Sequence, residues 1–386
     1  MNVQHPDARS KHEWAVAKDV IIRDFAPVFL KALSRIGDVT IIDAYAGPGK
    51  YEDGSIGSPL IFLEEANKLY KQRLLSIRTN FIFIEREEEY LNILRKAITE
   101  LTKDSRIGID IRYGDADKLL PDIFQEIESE SQNPVFLYLD PWGLKGIRKD
   151  IVIEFLKLRR KRRPVEILLR FPPLDVIRFY RNPQLGQNWI AKILGENWQD
   201  IKTETLLRHN FRDKAFELAT GYKNRLLELI PDRFLYSVTI PVEGRHLYFM
   251  VFFSEHPFGA FKMNDAMVSA WRKHVETDRS YAGTIFGGAE AYSRLSLTGE
   301  EEKYLLETIQ KHKRIKVHEL VALLTSSRNY PIFVREPRGL KQIGIIKPNI
   351  NALKQILDRL KEKGTIKFEK GAKDWTKGTI ILCSYK

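Results

Sequence analysis

Five short β-rich runs, at residues 39–42, 81–84, 109–112, 135–139 and 165–171, alternate with stretches of helical period at 59–72, 87–102, 117–129 and 149–160. Largely apolar, β-rich runs separated by helices predict a parallel sheet covered on both faces. An amphipathic helix precedes them over 14–33, with Val20, Ile21, Phe25, Phe29 and Leu33 near helical spacing. Beyond the fifth run, residues 174–230 read as mostly helical. Two adjacent strand-like runs follow, 234–241 and 246–254, linked by Val242-Glu243-Gly244-Arg245. So short a link permits only an antiparallel hairpin.

Five parallel strands and a closing hairpin make seven. The expected fold is therefore α/β, a Rossmann-like seven-stranded sheet as in class I S-adenosylmethionine (SAM)-dependent methyltransferases, with a helical insertion over 174–230. Residues 259–278 predict one more helix and 279–296 a Gly-containing connection. Past it, helices are expected at 298–311, 317–325 and 348–363. Pro348 suits a first turn and Gly364 a stop, and strands at 365–368 and 379–383 flank Gly371 to Gly378. Three helices and a hairpin describe a winged helix.

Charge divides the chain at the same place. Residues 291–386 hold 20 Lys+Arg and 10 Asp+Glu, so +10 of the net +12 lies there. A length of 386 residues exceeds the usual single domain. The expected domains are 1–290, methyltransferase-like, and 291–386, a basic winged helix suited to DNA or RNA. The alternative is a basic surface kept for solubility. The lone cysteine, Cys383, excludes an internal disulfide framework and Cys-clustered metal sites, and no metal is expected at the scattered His246, His256 and His274. No apolar run is long enough to span a bilayer, so a cytoplasmic protein without membrane partners is expected.

Chemistry collects at the strand ends. The first strand runs into Asp43-Ala44-Tyr45-Ala46-Gly47-Pro48-Gly49, where glycines let a ligand approach the backbone. The pattern is not G-x-G-x-x-G, so a pyrophosphate cradle is disfavoured. In SAM enzymes such a loop packs on the methionine moiety, and Asp43 would meet its amino group; the alternative is a plain strand-to-helix turn. Glu85 ends the second strand, placed for ribose hydroxyls, though an acid there, taken alone, is more often a solvent-facing loop residue. Asp115 follows the third strand, placed for an adenine amino group, with Asp117 expected to cap the next helix.

The fourth strand delivers Asp140-Pro141-Trp142-Gly143 to the same edge. An acid, neighbouring carbonyls and an aromatic plane are what transfer to an exocyclic amine requires: the hydrogens are accepted and the base is stacked. Asp140, Pro141 and Trp142 are thus the candidate catalytic residues, and Asp-Pro-aromatic-Gly resembles the motif of tRNA guanine-N2 methyltransferases. The alternative is that Trp142 packs under its loop. No cysteine lies near for carbon-5 chemistry.

Four separated blocks carry a wider resemblance. Asp43-Ala44-Tyr45-Ala46-Gly47-Pro48-Gly49, Gly57-Ser58-Pro59-Leu60, Leu139-Asp140-Pro141-Trp142-Gly143-Leu144, and His246-Leu247-Tyr248 through Met263-Asn264-Asp265-Ala266-Met267 occur in the order seen in three-Cys-motif partner (TcmP) proteins. The resemblance spans about residues 12–275, with Tyr45 and Trp142 standing where relatives often have Phe. It implies a methyltransferase-like fold and a partner of radical-SAM type with three cysteines. The combined expectation is a SAM-dependent nucleic-acid base methyltransferase. Asp43, Tyr45, Gly47, Gly49, Glu85 and Asp115 would hold SAM; Lys354, Arg359, Lys373 and Lys377 would touch nucleic acid. The second expectation is a non-catalytic scaffold that binds nucleic acid and docks the radical-SAM-type partner.

Overall fold

The structure is a computed structural model, described here for residues 15–101, 104–130, 133–141, 143, 147–158, 164–180, 191–193, 211–230, 235–242, 247–277, 291–335, 352–369 and 379–383. The alternation expected from the sequence is present. Strands β1 (Val39–Asp43), β2 (Thr79–Glu85), β3 (Ile107–Tyr113), β4 (Val135–Leu139) and β5 (Val165–Phe171) pair in parallel, and β6 (Tyr236–Val242) and β7 (Tyr248–Ser254) form the antiparallel hairpin. The order across the sheet is β3-β2-β1-β4-β5-β7-β6, with β7 antiparallel to both neighbours.

Helices α1 (Ala15–Leu33), α2 (Ser58–Lys71), α3 (Glu88–Leu101), α4 (Ala116–Glu130), α5 (Lys149–Leu156), α6 (Pro173–Tyr180), α7 (Phe211–Glu228) and α8 (Pro257–Thr277) cover the faces. Because a strand alternates sides, each one feeds two cores. Ile41, Phe83, Phe136, Leu168 and Met250 join α1, α2, α3 and α8. Ile42, Ile84, Leu137, Leu169 and Val251 join α4 to α7. Phe136 touches Phe25, Phe29 and Phe62 within one aromatic group, with centroids 5.4–6.0 Å apart. Helix α5 stops at Leu156, four residues before its expected end. Of the insertion, α6, residues 191–193 and α7 are described; Trp189 and Trp198 lie outside the described residues.

The basic C-terminal part contains α9 (Gly299–His312), β8 (Arg314–Lys316), α10 (Val317–Ser326), α11 (Leu353–Glu362), β9 (Ile366–Phe368) and β10 (Ile380–Cys383). Thr298 and Glu301 form a reciprocal cap at the start of α9. Two details differ from expectation. Helix α11 begins at Leu353 rather than 348, because Ala352 is extended and its N–H donates to the Gln355 side chain, the signature of a helix start. Arg314-Ile315-Lys316 adds a third strand, so the sheet is β8-β10-β9, antiparallel throughout. Three residues alternating out-in-out are too short a signal to read locally; β10 supplies the pairing.

This part is built into the body. The Ser237 N–H of β6 donates to Ser326 Oγ (2.9 Å), and buried Lys223 donates to the Arg328 carbonyl (3.0 Å). Asn264 and Ile332 exchange two bonds, at 2.8 and 3.0 Å. Helix α10 thereby lies against β6, the outer strand of the hairpin, which would otherwise expose unpaired amides. No described helix is long and apolar enough to cross a membrane.

Candidate functional site

Strand alternation puts Asp43, Glu85, Asp140 and Arg170 on one face at the carboxyl edge, the face that α1 covers. Asp43 is in register with Phe83 on one side and Tyr138 on the other. The connection from β1 runs outward to β2 and the one from β4 runs the other way to β5, so the strand order switches direction between β1 and β4, the place where open α/β sheets bind ligands.

Asp43 is fully buried. The Tyr45 N–H donates to its Oδ1 (3.2 Å), while Oδ2 is buried with no hydrogen-bond partner among the described residues. Burial raises its pKa to about 7, against the opposing pull of the Ser58 side chain and the Tyr45 amide. A buried acceptor without a partner costs free energy unless a ligand completes it. Two glycines follow in the left-handed region, Gly47 (φ 64°) and Gly49 (φ 68°). They differ in surroundings: a Cβ on Gly49 would lie 2.6 Å from Leu94 Cδ1 of α3, whereas one on Gly47 would meet nothing within 4 Å. Gly49 serves close packing, and Gly47 borders open space. Tyr45 is half-buried, its hydroxyl pKa raised by burial and then by Asp117.

Glu85 is turned toward the loop. Its Oε2 accepts from the Gly47 N–H and its Oε1 from the Arg86 and Glu87 N–H groups, all at 2.8 Å. Burial raises its pKa while the three amides pull it down. Asp115 occupies the position before α4, its carbonyl accepting from Lys118 and Leu119 N–H, with the Lys118 ammonium 3.5 Å from its carboxylate. Asp117 is not the cap that the sequence suggests: α4 starts at Ala116, which places Asp117 inside the first turn, 3.9 Å from Arg148.

Asp140 lies in a network the motif does not announce. Lys18 of α1 forms an ion pair with its Oδ2, the Tyr138 hydroxyl donates to the same oxygen (3.2 Å), and Arg170 Nε lies 3.9 Å from Oδ1. Arg170 also donates to the Pro141 carbonyl (2.8 Å) and stacks over Tyr248, 4.8 Å from the ring centroid. Burial lowers the Lys18 pKa, and Asp140 is the chief opposing influence. Trp142 lies outside the described residues; Gly143 beside it is left-handed (φ 81°) with nothing within 4 Å of a Cβ. Lys18 and Arg170 were absent from the sequence reading, yet each carried a signal. Lys18 falls on the stripe of Ile21, Ile22 and Phe25, and Arg170 interrupts an apolar central strand.

On the C-terminal part, Lys354 pairs with Asp358 (2.5 Å) and Arg359 with Glu302 (3.3 Å). Lys373 and Lys377 lie outside the described residues. No group of three His, Cys, Asp or Glu is placed to hold a metal among the described residues.

No family model matches this sequence, and no curated protein matches it. Among solved structures, the chain is similar to an O-methyltransferase from Bacillus cereus in complex with SAH: 16% identity, 66% of this chain and 93% of that one, TM-score 0.32. It is also similar to the O-methyltransferase TomG from Streptomyces achromogenes, involved in tomaymycin synthesis and solved with SAM: 15% identity, 63% and 90% coverage, TM-score 0.29. Likenesses so distant leave the site to be read from its own strand order and side chains.

Proposed function

We propose that the carboxyl edge binds S-adenosyl-L-methionine and that the protein methylates an exocyclic amino nitrogen of a nucleic-acid base. The strand order supports this reading, since a reversed seventh strand between the fifth and sixth is the class I methyltransferase arrangement. The observation that carries it is the buried Asp43 Oδ2, without a hydrogen-bond partner among the described residues, on the loop that leads into Gly47, where a Cβ would meet open space. An ammonium at that point would complete Asp43, and the cofactor's amino acid end has one. Glu85 buttresses the Gly47 turn and keeps spare lone pairs for ribose hydroxyls. Asp115 would meet the adenine amino group, and Tyr45 would pack against the cofactor from the loop after β1.

The bound cofactor would supply a methyl group on cationic sulfur, so the chain's own task is chiefly positioning. Lys18 and Arg170 fix the direction of the Asp140 carboxylate and the Pro141 carbonyl, which would accept the target amine's hydrogens, with Trp142 as the stacking plane. The order helix, strand, helix, helix, strand, strand, with sheet β8-β10-β9, supports reading the C-terminal part as a winged helix. Lys354 and Arg359 of α11, and Lys373 and Lys377 between β9 and β10, would then contact the phosphate backbone. The TcmP resemblance adds a radical-SAM-type protein as a partner.

A second reading is a methyltransferase-like scaffold without catalysis that binds nucleic acid and docks that partner. It is favoured by the internal duties of two key acids: Asp140 holds Lys18 and Glu85 holds three amides. Titration calorimetry of the full chain with SAM separates the readings. Saturable binding that is lost in Asp43→Asn supports the transferase; absence of binding leaves the scaffold. Mass spectrometry of nucleosides from cells with and without the gene then identifies the base.

A further inference from the structure

At the opposite end of the sheet from Asp43, between α1 and α8, lies a cavity of about 410 Å³. Its walls include Phe25 and Phe29 of α1 and Phe258 of α8, with Ala32 exposed at its mouth. Its buried polar group is Glu166, 4% exposed, near the start of β5, and Glu255, His256 and Lys262 also line it. Ser254 Oγ donates to Glu166 Oε1 (2.7 Å), and no hydrogen bond reaches Oε2 from the described residues. Burial lifts the Glu166 pKa to about 7, with Ser254 pulling it down.

The surroundings are fitted to this carboxyl group. A Cβ on Gly259, the third residue of α8, would crowd Glu166 Oε1 and lie 2.6 Å from Ser254 Oγ, so a glycine here leaves the room in which the carboxyl group sits. The basic groups nearby have other partners. Lys262 pairs with Asp265 (2.8 Å). His256 accepts the Phe258 N–H at Nδ1 (3.1 Å), and burial, followed by His318, lowers its pKa. A half-used buried carboxylate beneath aromatic rings suits a cation with an apolar body, through charge pairing and ring-face attraction.

We propose that this cavity binds a small organic ammonium compound, its nitrogen received by Glu166 and its apolar body by Phe25, Phe29 and Phe258. The site is separate from the carboxyl edge, and nothing in the proposed methyl transfer uses it.

The test is calorimetric titration of the full-length protein with phenethylamine and with its neutral counterpart 2-phenylethanol. The amine is expected to bind saturably and about tenfold or more tightly than the alcohol. Glu166→Gln, which keeps the size and the Ser254 bond, should erase that preference, and Ala32→Trp, at an exposed position, should block both probes. Absence of saturable amine binding, equal affinity for the two probes, or amine binding undiminished by Ala32→Trp would each overturn the proposal. Should Glu166→Gln fail to fold, the probe comparison and Ala32→Trp decide it.

Discussion

Lys18 of α1 closes an ion pair on Asp140, 122 positions further along the chain and just beyond β4. Their side chains are 10% and 16% exposed, so neither charge is fully hydrated. Breaking such a pair strands a charge. Lys18→Met should destabilise the fold by about 1–3 kcal/mol, less than for a wholly buried pair because some water reaches Asp140. Urea denaturation of Lys18→Met, Asp140→Asn and the double variant measures it, with the double variant recovering part of the loss.

Asp43 couples stability to pH and, under the proposed function, to cofactor binding. Its folded pKa of about 7 stands above the ordinary carboxylate value of 3.8. The folded state therefore holds a proton that the unfolded chain has already lost between those values, and stability falls as pH rises through that window. Asp43→Asn should be more stable than the parent at pH 8 and nearly equal at pH 4, by thermal denaturation. The same variant should lose SAM affinity, since the amide no longer offers a charge to an ammonium.

The loop after β1 contains two glycines with different duties, which substitution can separate. Gly49→Ala meets Leu94 as well as backbone strain and should cost clearly more stability than Gly47→Ala. Gly47→Ala carries the conformational penalty alone, about 1–2 kcal/mol. In calorimetry with SAM, Gly47→Ala should bind more weakly despite remaining folded, because its new methyl projects into the open side.

Glu85 accepts three backbone N–H groups with two oxygens. Glutamine has one acceptor oxygen and would turn an NH2 toward an amide, a mismatch worth about 1–3 kcal/mol. In Glu85→Gln, amide hydrogen exchange at Gly47 or at Arg86 and Glu87 should accelerate, while the Asn264 to Ile332 junction keeps its protection.

If the C-terminal part binds nucleic acid through phosphates, affinity must fall linearly with salt on logarithmic axes. Replacing Lys354 or Arg359 by Ala should reduce that slope by about one each, whatever the sequence bound. Fluorescence anisotropy with labelled duplex DNA and RNA across salt concentrations gives the slope.

The sheet was legible because most of its strands are largely apolar on both sides, and burial between two helical layers accommodates runs such as Val135 through Leu139 or Tyr248 through Ser254. The gathering of Asp43, Gly47 and Glu85 at one edge was legible because all three stand at or just beyond the ends of strands that pair in parallel. The internal duties were not. Nothing in the Glu85 motif says that its carboxylate turns back to hold Gly47, 38 positions earlier, since that depends on how the two loops meet. Helix α11 was set too early because Pro348 is a plausible first-turn residue, whereas the cap at Ala352 needs the Gln355 side chain to fold back.

Periodicity and composition by themselves determined the layered α/β body, the hairpin at its edge and the basic C-terminal part, because those follow from which residues must leave water. Tertiary structure alone decided what the charges inside that body do. Glu166 and Arg170 sit on the same face of β5, yet α1 crosses that face lengthwise and brings Lys18 to one end and Phe25 and Phe29 to the other. A charge in a buried strand is visible in the sequence; its partner is chosen by the helix packed above it, because the low dielectric of the interior leaves only near neighbours to compensate it.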